Sequence, residues 1–235
     1  MGARWPGFFI SFEGLDGAGK STQVAALSGA LRSDGRDVVS LRPGDSELGE
    51  MAGGFLLTHQ VGRPLDPWAE ALLFIASRVQ LLRETILPAL HEGRVVVVDR
   101  WADSTLAYQG GGRGLDPHAL ASLHRQALDD IWPDLTLFLE LPLQVAMRRR
   151  RAAQLPLDRI EQDPEDFHGA VERTFRDLVR ANPARIVRID AMQSASAVSH
   201  RIWDEVQGRL GETRRLGDGD PDEVIPGLGA TIGRT

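Results

Sequence analysis

Residues 7–21 read GFFISFEGLDGAGKS, and this stretch decides the fold. Gly7 to Glu13 is a short apolar run, rich in phenylalanine, of the kind that forms a buried first strand. Gly14 to Ser21 then matches G-x-x-x-x-G-K-[ST] in full. Downstream, Val24, Leu27 and Leu31 share one helix face before Gly35, a helix stop. Strand, glycine-rich turn and helix thus stand in the order that a phosphate-binding loop requires. The glycines let the backbone turn its N–H groups toward phosphates, and the helix N-terminus adds positive potential. Lys20 is placed to reach the β- and γ-phosphates of a nucleoside triphosphate, and the Ser21 hydroxyl to ligate Mg²⁺. A glycine-rich turn with a chance lysine is the bland alternative, and the flanking strand and helix weigh against it.

Four further strand signals follow: Val38 to Leu41, Arg94 to Asp99, Leu135 to Leu141 and Arg185 to Ile189. Helical spacing fills the gaps between them, so the pattern predicts an α/β fold with a parallel sheet. Asp66-Pro67 reads as a cap followed by proline at the first helical position, opening a helix to about Pro88. Asp163-Pro164 opens another, whose face carries Phe167, Val171, Phe175 and Leu178 and which ends near Asn182-Pro183. One P-loop domain over residues 1–210 is expected, with 211–235 as a flexible tail rich in glycine and charge.

The whole chain sets bounds. Its 235 residues fit one α/β domain, and 42% hydrophobic content is enough for a sizeable core. A formal net charge of −6 argues against nucleic-acid binding through an overall positive field. With no cysteine there are no disulfides or thiolate metal sites, which suits a reducing cytoplasm. No apolar run approaches ~18 residues, so no membrane span is expected, and Met1 to Pro6 is not built as a secretory signal.

Two carboxylates narrow the chemistry. Asp16 lies inside the loop, where it faces an anionic ligand at an electrostatic cost that a second ligand or a metal would offset. A solvent-facing turn aspartate is the alternative. Asp99 ends the strand Arg94 to Asp99, and carboxyl ends of parallel strands line the ligand crevice. There Asp99 would hold Mg²⁺ through water and Arg100 would bind transferring phosphoryl oxygens. A surface ion pair between the two is the weaker reading.

Four segments in order resemble thymidylate kinase of the bacterial type. They are Glu13 to Ser21, Leu73-Phe74-Ile75-Ala76-Ser77-Arg78-Val79-Gln80, Asp99-Arg100 with Ser104-Thr105 and Ala107 to Gly114, and Asp158-Arg159-Ile160-Glu161. Resembling sequence runs from about Phe9 to Gln207. The resemblance implies the P-loop nucleoside monophosphate kinase fold, a five-stranded parallel sheet flanked by helices. It implies transfer of the γ-phosphoryl group of MgATP to thymidine monophosphate, and a homodimer formed through packed helices. It assigns ATP to Gly14, Leu15, Asp16, Gly17, Ala18, Gly19, Lys20, Ser21 and Thr22. Phe74 would stack on thymine and Arg78 would hydrogen-bond its carbonyl edge. Positions four apart share a helix face, so one ring and one guanidinium can address one base; ordinary core and a solvated charge are what periodicity alone would equally allow. Ser104, Thr105 and Gln109 would bind the base edge, and Tyr108 would lie against the deoxyribose. Arg100 would touch the acceptor phosphate with Asp16 beside it, and Asp158 and Glu161 belong to the acceptor side of the lid.

The lid is expected at about 148–163. Arg148 to Arg151 form a basic run, with Arg159 beyond it. One style within the family carries an arginine in the loop after the acidic residue; here that position is Gly17, so a lid arginine is expected to serve, with Arg151 and Arg159 as first choices. Such an arginine acts as a finger supplied in cis. A solvated helix face is the alternative for each arginine. The chain departs from the family at Leu41-Arg42-Pro43-Gly44-Asp45-Ser46 and at Gly53-Gly54, where a glutamate and a helical arginine are usual. Arg42 is the candidate substitute. The rivals are a kinase for another monophosphate or a deoxynucleoside, and a nucleotide-binding regulator without transfer activity. A GTPase would carry an N-K-x-D motif, which is absent.

Overall fold

The computed structural model describes residues 5–58, 65–154 and 156–217, with backbone alone for 212–217. Five strands, β1 (Phe8–Glu13), β2 (Val38–Leu41), β3 (Val95–Asp99), β4 (Leu135–Glu140) and β5 (Ile186–Asp190), form one parallel sheet in the order β2-β3-β1-β4-β5. All five strands stand where the apolar runs predict them. β1 is central and buried throughout, with side chains alternating between the two faces. Phe8, Ile10 and Phe12 pack with Leu27, Leu31, Phe175, Ile202 and Val206 on one face. Phe9 packs with Leu81, Ile86, Val96, Val98 and Trp101 on the other. Ser11 and Glu13 share the Phe9 face by this alternation, so two polar side chains are carried into that interior.

The helices are α1 (Lys20–Ser33), α2 (Glu47–Thr58), α3 (Pro67–Leu81), α4 (Leu87–His91), α5 (Ala102–Thr105), α6 (Pro117–Ala127), α7 (Leu143–Ala152), α8 (Glu165–Ala181) and α9 (Ala195–Gly217). Asp66 caps α3 as predicted, accepting from the N–H groups of Trp68 and Ala69. The helical run ends at His91, three residues past Pro88, but it is not regular throughout. A π-turn at Leu82–Ile86 links α3 to α4, with Leu87 N–H bonded to the Leu82 carbonyl. The wider turn accommodates Pro88, which has no N–H to donate and whose ring would crowd a regular helix. A second π-turn, Leu106–Gly112, follows α5.

α2 is helical through Gly53 and Gly54. Tertiary packing overrides their poor propensity: Ala52 and Leu56 are buried, and Gly49 N–H bonds the Ser46 hydroxyl at 3.0 Å. α9 continues beyond Gly211 to Gly217, into the segment expected as tail; residues 218–235 lie outside the described residues.

Register sets the position of the site. Phe12 of β1 lies opposite Asp99 of β3, and Arg100 N–H extends the ladder to the Phe12 carbonyl at 2.9 Å. The carboxyl ends of β1 and β3 therefore present the glycine loop, Asp99 and Arg100 side by side, where the strand order reverses.

Candidate active site

A cavity of about 820 Å³ opens at this end of the sheet. That volume suits a small organic ligand or more than one. Its wall is continuous from Lys20, Ser21 and Thr22 on the loop, past Asp99 and Arg100, to Phe74 and Arg78 on α3. Ser104, Tyr108 and Gln109 line it from the α5 side, Arg149 and Arg150 from α7, and Asp158 and Glu161 from the segment after α7.

The loop is shaped by glycine where the backbone demands it. Gly17 and Gly19 have φ of 88° and 90°, and a Cβ on Gly17 would lie 2.6 Å from the Ala146 carbonyl oxygen of α7. Leu15 and Ala18 are buried, so their side chains anchor the loop and only their backbone can meet a ligand. Lys20 is buried and its Nζ donates to the Gly14 and Leu15 carbonyls at 3.2 and 3.0 Å. Burial, then the neighbouring Arg100 charge, lower its pKa, against the pull of Asp16 and Asp99.

Asp16 is not a solvent-facing turn residue. Arg100 Nη2 donates to its Oδ1 at 2.5 Å, Tyr108 hydroxyl donates to its Oδ2 at 3.1 Å, and Lys20 Nζ stands 3.4 Å from Oδ1. Burial acts to raise its pKa, but the Arg100 and Lys20 charges and these hydrogen bonds hold the carboxyl well below the usual range. The electrostatic cost read from the sequence is thus offset within the protein. Arg100 itself has φ 74°, a left-handed backbone rare outside glycine. Burial opposes its charge, yet Asp16 raises its pKa further. Asp99 and Arg100 do not pair with each other: Asp99 accepts from the Ser21 hydroxyl at 2.8 Å.

Phe74 and Arg78 face one another across the helical turn, with Arg78 Cζ 5.9 Å from the ring centroid. Arg78 Nη1 donates to the Phe74 carbonyl at 3.2 Å, while its buried Nε has no hydrogen-bond partner. Burial pushes the guanidinium pKa down to about 10, so it remains charged at neutral pH.

Ser21 and Asp99 bring one hydroxyl and one carboxylate together beside the loop, and the described residues hold no cluster of three acidic or histidine side chains. That sparse oxygen set fits Mg²⁺, which takes one or two protein oxygens and completes its shell with phosphates and water. It does not fit an all-protein metal cage.

Some sequence-predicted residues fall elsewhere. Thr105 is buried, does not line the cavity, and its hydroxyl lacks a partner. Arg151 and Arg159 do not line it either; Arg149 and Arg150 do. Arg151 turns to a smaller hollow behind the loop with Leu15 and Met147. Arg159 is a strut: its Nε donates to the Leu56 carbonyl at 2.8 Å and its Nη2 pairs with Glu70. The helical period explains the change, since Arg149, Arg150 and Arg151 point about 100° apart around α7. Arg42 lines the cavity but is exposed and paired with Asp45 at 3.1 Å. Gly53 and Gly54 leave open space there.

Glu70 and Glu13 carry weight the motifs did not signal. Glu70 is buried and accepts from Gln109, Arg113 and Arg159, tying α3 to the second π-turn and to the segment after α7; Arg113 also forks onto Asp163. An acid in the first turn of a helix is favoured by the helix dipole alone, so its position does not mark Glu70 as a brace. Glu13 stood in the first strand, where its inward orientation depends on the pleat.

Comparisons with known proteins agree with this geometry. A family model described as thymidylate kinase matches residues 12–202. A thymidylate kinase of Thermomicrobium roseum is 42% identical over 209 residues, covering 88% of this chain and 98% of that one. One from Bifidobacterium longum subsp. infantis is 40% identical over 230 residues, covering 97% and 96%. The crystal structure of thymidylate kinase from Ehrlichia chaffeensis superposes with a TM-score of 0.69 at 30% identity, over 86% of this chain and 99% of that one.

Proposed function

We propose that this chain, which belongs to the thymidylate kinase family, binds two nucleotides end to end in the cavity above. It phosphorylates thymidine monophosphate to thymidine diphosphate, with ATP as phosphoryl donor. The observation that carries this reading is one cavity lined by Lys20, Arg100, Phe74 and Arg78 together.

The donor phosphates lie on the glycine loop, held by its N–H groups, by Lys20 and by Thr22. Ser21, and Asp99 through water, would hold Mg²⁺, which would neutralise charge on the donor phosphates. Phe74 stacks on thymine and the Arg78 guanidinium addresses its carbonyl edge, with Ser104 and Gln109 beside it. Tyr108 crowds the position of a 2′-hydroxyl. Thr105 supports this wall from behind. Arg100 meets the acceptor phosphate, and Asp16 fixes that guanidinium from the other side. The acceptor phosphate has a second pKa near ~6 and is largely deprotonated at neutral pH, so no general base is needed. The barrier falls through positioning and charge, with Lys20, Arg100 and one of Arg149 and Arg150 around the group in transit. Lid closure by residues 148–163, with Asp158 and Glu161 on the acceptor side, excludes water and limits ATP hydrolysis.

Exposed Leu48 and Met51 on α2 and Trp68 and Leu72 on α3 support a homodimer through these helices. No helix among the described residues is long and apolar enough to cross a membrane. The reading places the protein in the cytoplasm, without a nucleic-acid partner.

A coupled assay offering MgATP with each nucleoside monophosphate in turn tests the reaction. Thymidine monophosphate is expected to be best. Deoxyuridine monophosphate should be poorer by no more than ~10–200-fold, because one methyl group carries little discrimination. Equal ATP loss with every acceptor, or with none added, would sink the assignment.

A further inference from the structure

Arg100 holds a strained backbone at the point where the two nucleotides meet. A non-glycine residue at φ 74° persists only where its surroundings over-determine it. Its own N–H is taken by the Phe12 carbonyl at 2.9 Å. The next N–H, of Trp101, donates to Glu13 Oε1 at 2.7 Å. The other carboxylate oxygen, Oε2, accepts from the Ser104 hydroxyl, and Ser104 Oγ in turn accepts from Arg100 Nη1 at 3.1 Å. One fully buried carboxylate therefore grips Arg100 twice, through the following peptide and through its guanidinium.

The donors run in one direction, Arg100 to Ser104 to Glu13, and only an acceptor at the end of the chain lets Ser104 do both tasks. Burial and the nearby Asp103 carboxylate raise the Glu13 pKa, against the Ser104 and Trp101 bonds and the Arg100 charge. Asp103 cannot take over, since Arg185 holds both its oxygens at 2.7 and 2.8 Å. Glu13 does not line the cavity, so it acts through Arg100 and not on the nucleotide.

We infer that Glu13 is a positioning residue for phosphoryl transfer, which sets the direction of the Arg100 guanidinium through Trp101 N–H and Ser104. This rests on the role of Arg100 proposed above.

A double-mutant cycle on the full chain tests it: Glu13→Gln, Arg100→Ala and the pair, with kcat and both KM values measured. Glu13→Gln is expected to lower kcat about 100-fold, the scale of an ångström-sized misplacement, with the KM for ATP unchanged. In the Arg100→Ala background it should cost under about 3-fold more, because the group it positions is gone. An equal loss in both backgrounds overturns the inference and marks Glu13 as general support. Should Glu13→Gln fail to fold, Ser104→Ala cuts the same side-chain link; its contact with the base is read separately in the KM for thymidine monophosphate, and a kcat loss additive with that of Arg100→Ala overturns the inference in the same way. Full activity of Arg100→Ala by itself would instead defeat the role given to Arg100.

Discussion

Asp16 and Arg100 meet at 2.5 Å across the carboxyl ends of β1 and β3, and Tyr108 bonds both, to Asp16 at 3.1 Å and to Arg100 at 3.1 Å. The glycine loop is thereby locked to the cavity wall formed by Arg100 and Tyr108. Asp16→Asn keeps the shape and removes the charge that aims Arg100. It is expected to lower kcat by about 10–100-fold, a cost in positioning.

The same pair fixes a pH expectation. The folded Asp16 pKa is depressed below its unfolded value of ~3.9. Its stabilising contribution is therefore fully present above that value and is lost only as pH falls further. Asp16 stays ionised at every working pH. The acid limb of kcat should instead follow the acceptor phosphate, near ~6, and be shared by wild type and Asp16→Asn. An acid limb that disappears in the variant would contradict this.

The buried Glu70 accepts from Gln109, Arg113 and Arg159. Glu70→Ala leaves two largely buried guanidinium groups without this carboxylate, a loss on the order of 3–5 kcal/mol. For a domain of this size that lowers the melting temperature by about 10 °C. Arg159 keeps its bonds to the Leu56 and Leu57 carbonyls of α2 but loses its partner on α3, so the segment it braces is held from one side only. ATP hydrolysis without acceptor should rise relative to transfer, measurable as ADP formed per thymidine diphosphate. An unchanged ratio would leave Glu70 with a role in stability alone.

Sequence carried the sheet because each strand is a bounded run of β-branched or aromatic residues, and carried the loop because Gly14 to Ser21 needs glycine for its backbone. Phe74 and Arg78 were legible as a pair through the family resemblance, which the helical period allowed without requiring it, and Asp99 and Arg100 through their place after an apolar strand. Contacts at long sequence separation were not. Arg159 resembled a lid cation, yet its partner is Glu70 and its carbonyl contact is Leu56. Nothing local distinguishes an arginine that faces a cavity from one that braces it. The π-turn at Leu82–Ile86 was likewise hidden, since Pro88 alone does not say whether a helix stops or widens.

Lid cations are separable by mutation. Arg150 is held by Glu161 and by the Pro156 carbonyl at 2.8 Å, whereas Arg149 lines the cavity without a carboxylate partner among the described residues. Arg149→Ala is expected to lower kcat by ~10³-fold if it supplies the transferring charge in cis. Arg151→Ala, facing the hollow behind the loop, should change kcat by less than about 3-fold, since surface substitutions of this kind stay within ~0.5 kcal/mol. Single-turnover rates for the two variants check it; the reverse order would return the role to Arg151.

Gly112 lies at the end of the second π-turn, where a Cβ would come within 2.3 Å of the Phe167 ring of α8. Phe167 is buried and stacks edge-on to Tyr108, with the Arg113 guanidinium 4.4 Å from its ring centroid. Gly112→Ala must displace that ring, an overpacking cost of about 1–3 kcal/mol. A lower midpoint in urea at an unchanged slope is the expected result, with a raised KM for thymidine monophosphate because Tyr108 moves with Phe167. An unaltered midpoint would show that α8 yields without cost.

His124 on α6 gives the clearest pH signature of the fold. It is buried against Trp132 at 4.4 Å between ring centroids, and its Nε2 has no partner. Burial, then the charge on Arg78, push its pKa down to about 4, while the Ile131 backbone bond and the Asp103 and Asp130 carboxylates pull the other way. Between the unfolded value of ~6.5 and the folded one, the unfolded chain binds the extra proton, so stability rises with pH across that window. The neutral imidazole thus contributes on the order of 3 kcal/mol above pH ~6.5, all of it lost by pH ~4. His124→Phe keeps the ring contact with Trp132 and removes the proton site. Unfolding free energies from denaturant titrations between pH 4 and 7 should fall less steeply toward acid in the variant than in the wild type. Parallel curves would mean that His124 is reached by solvent and titrates normally in the folded protein.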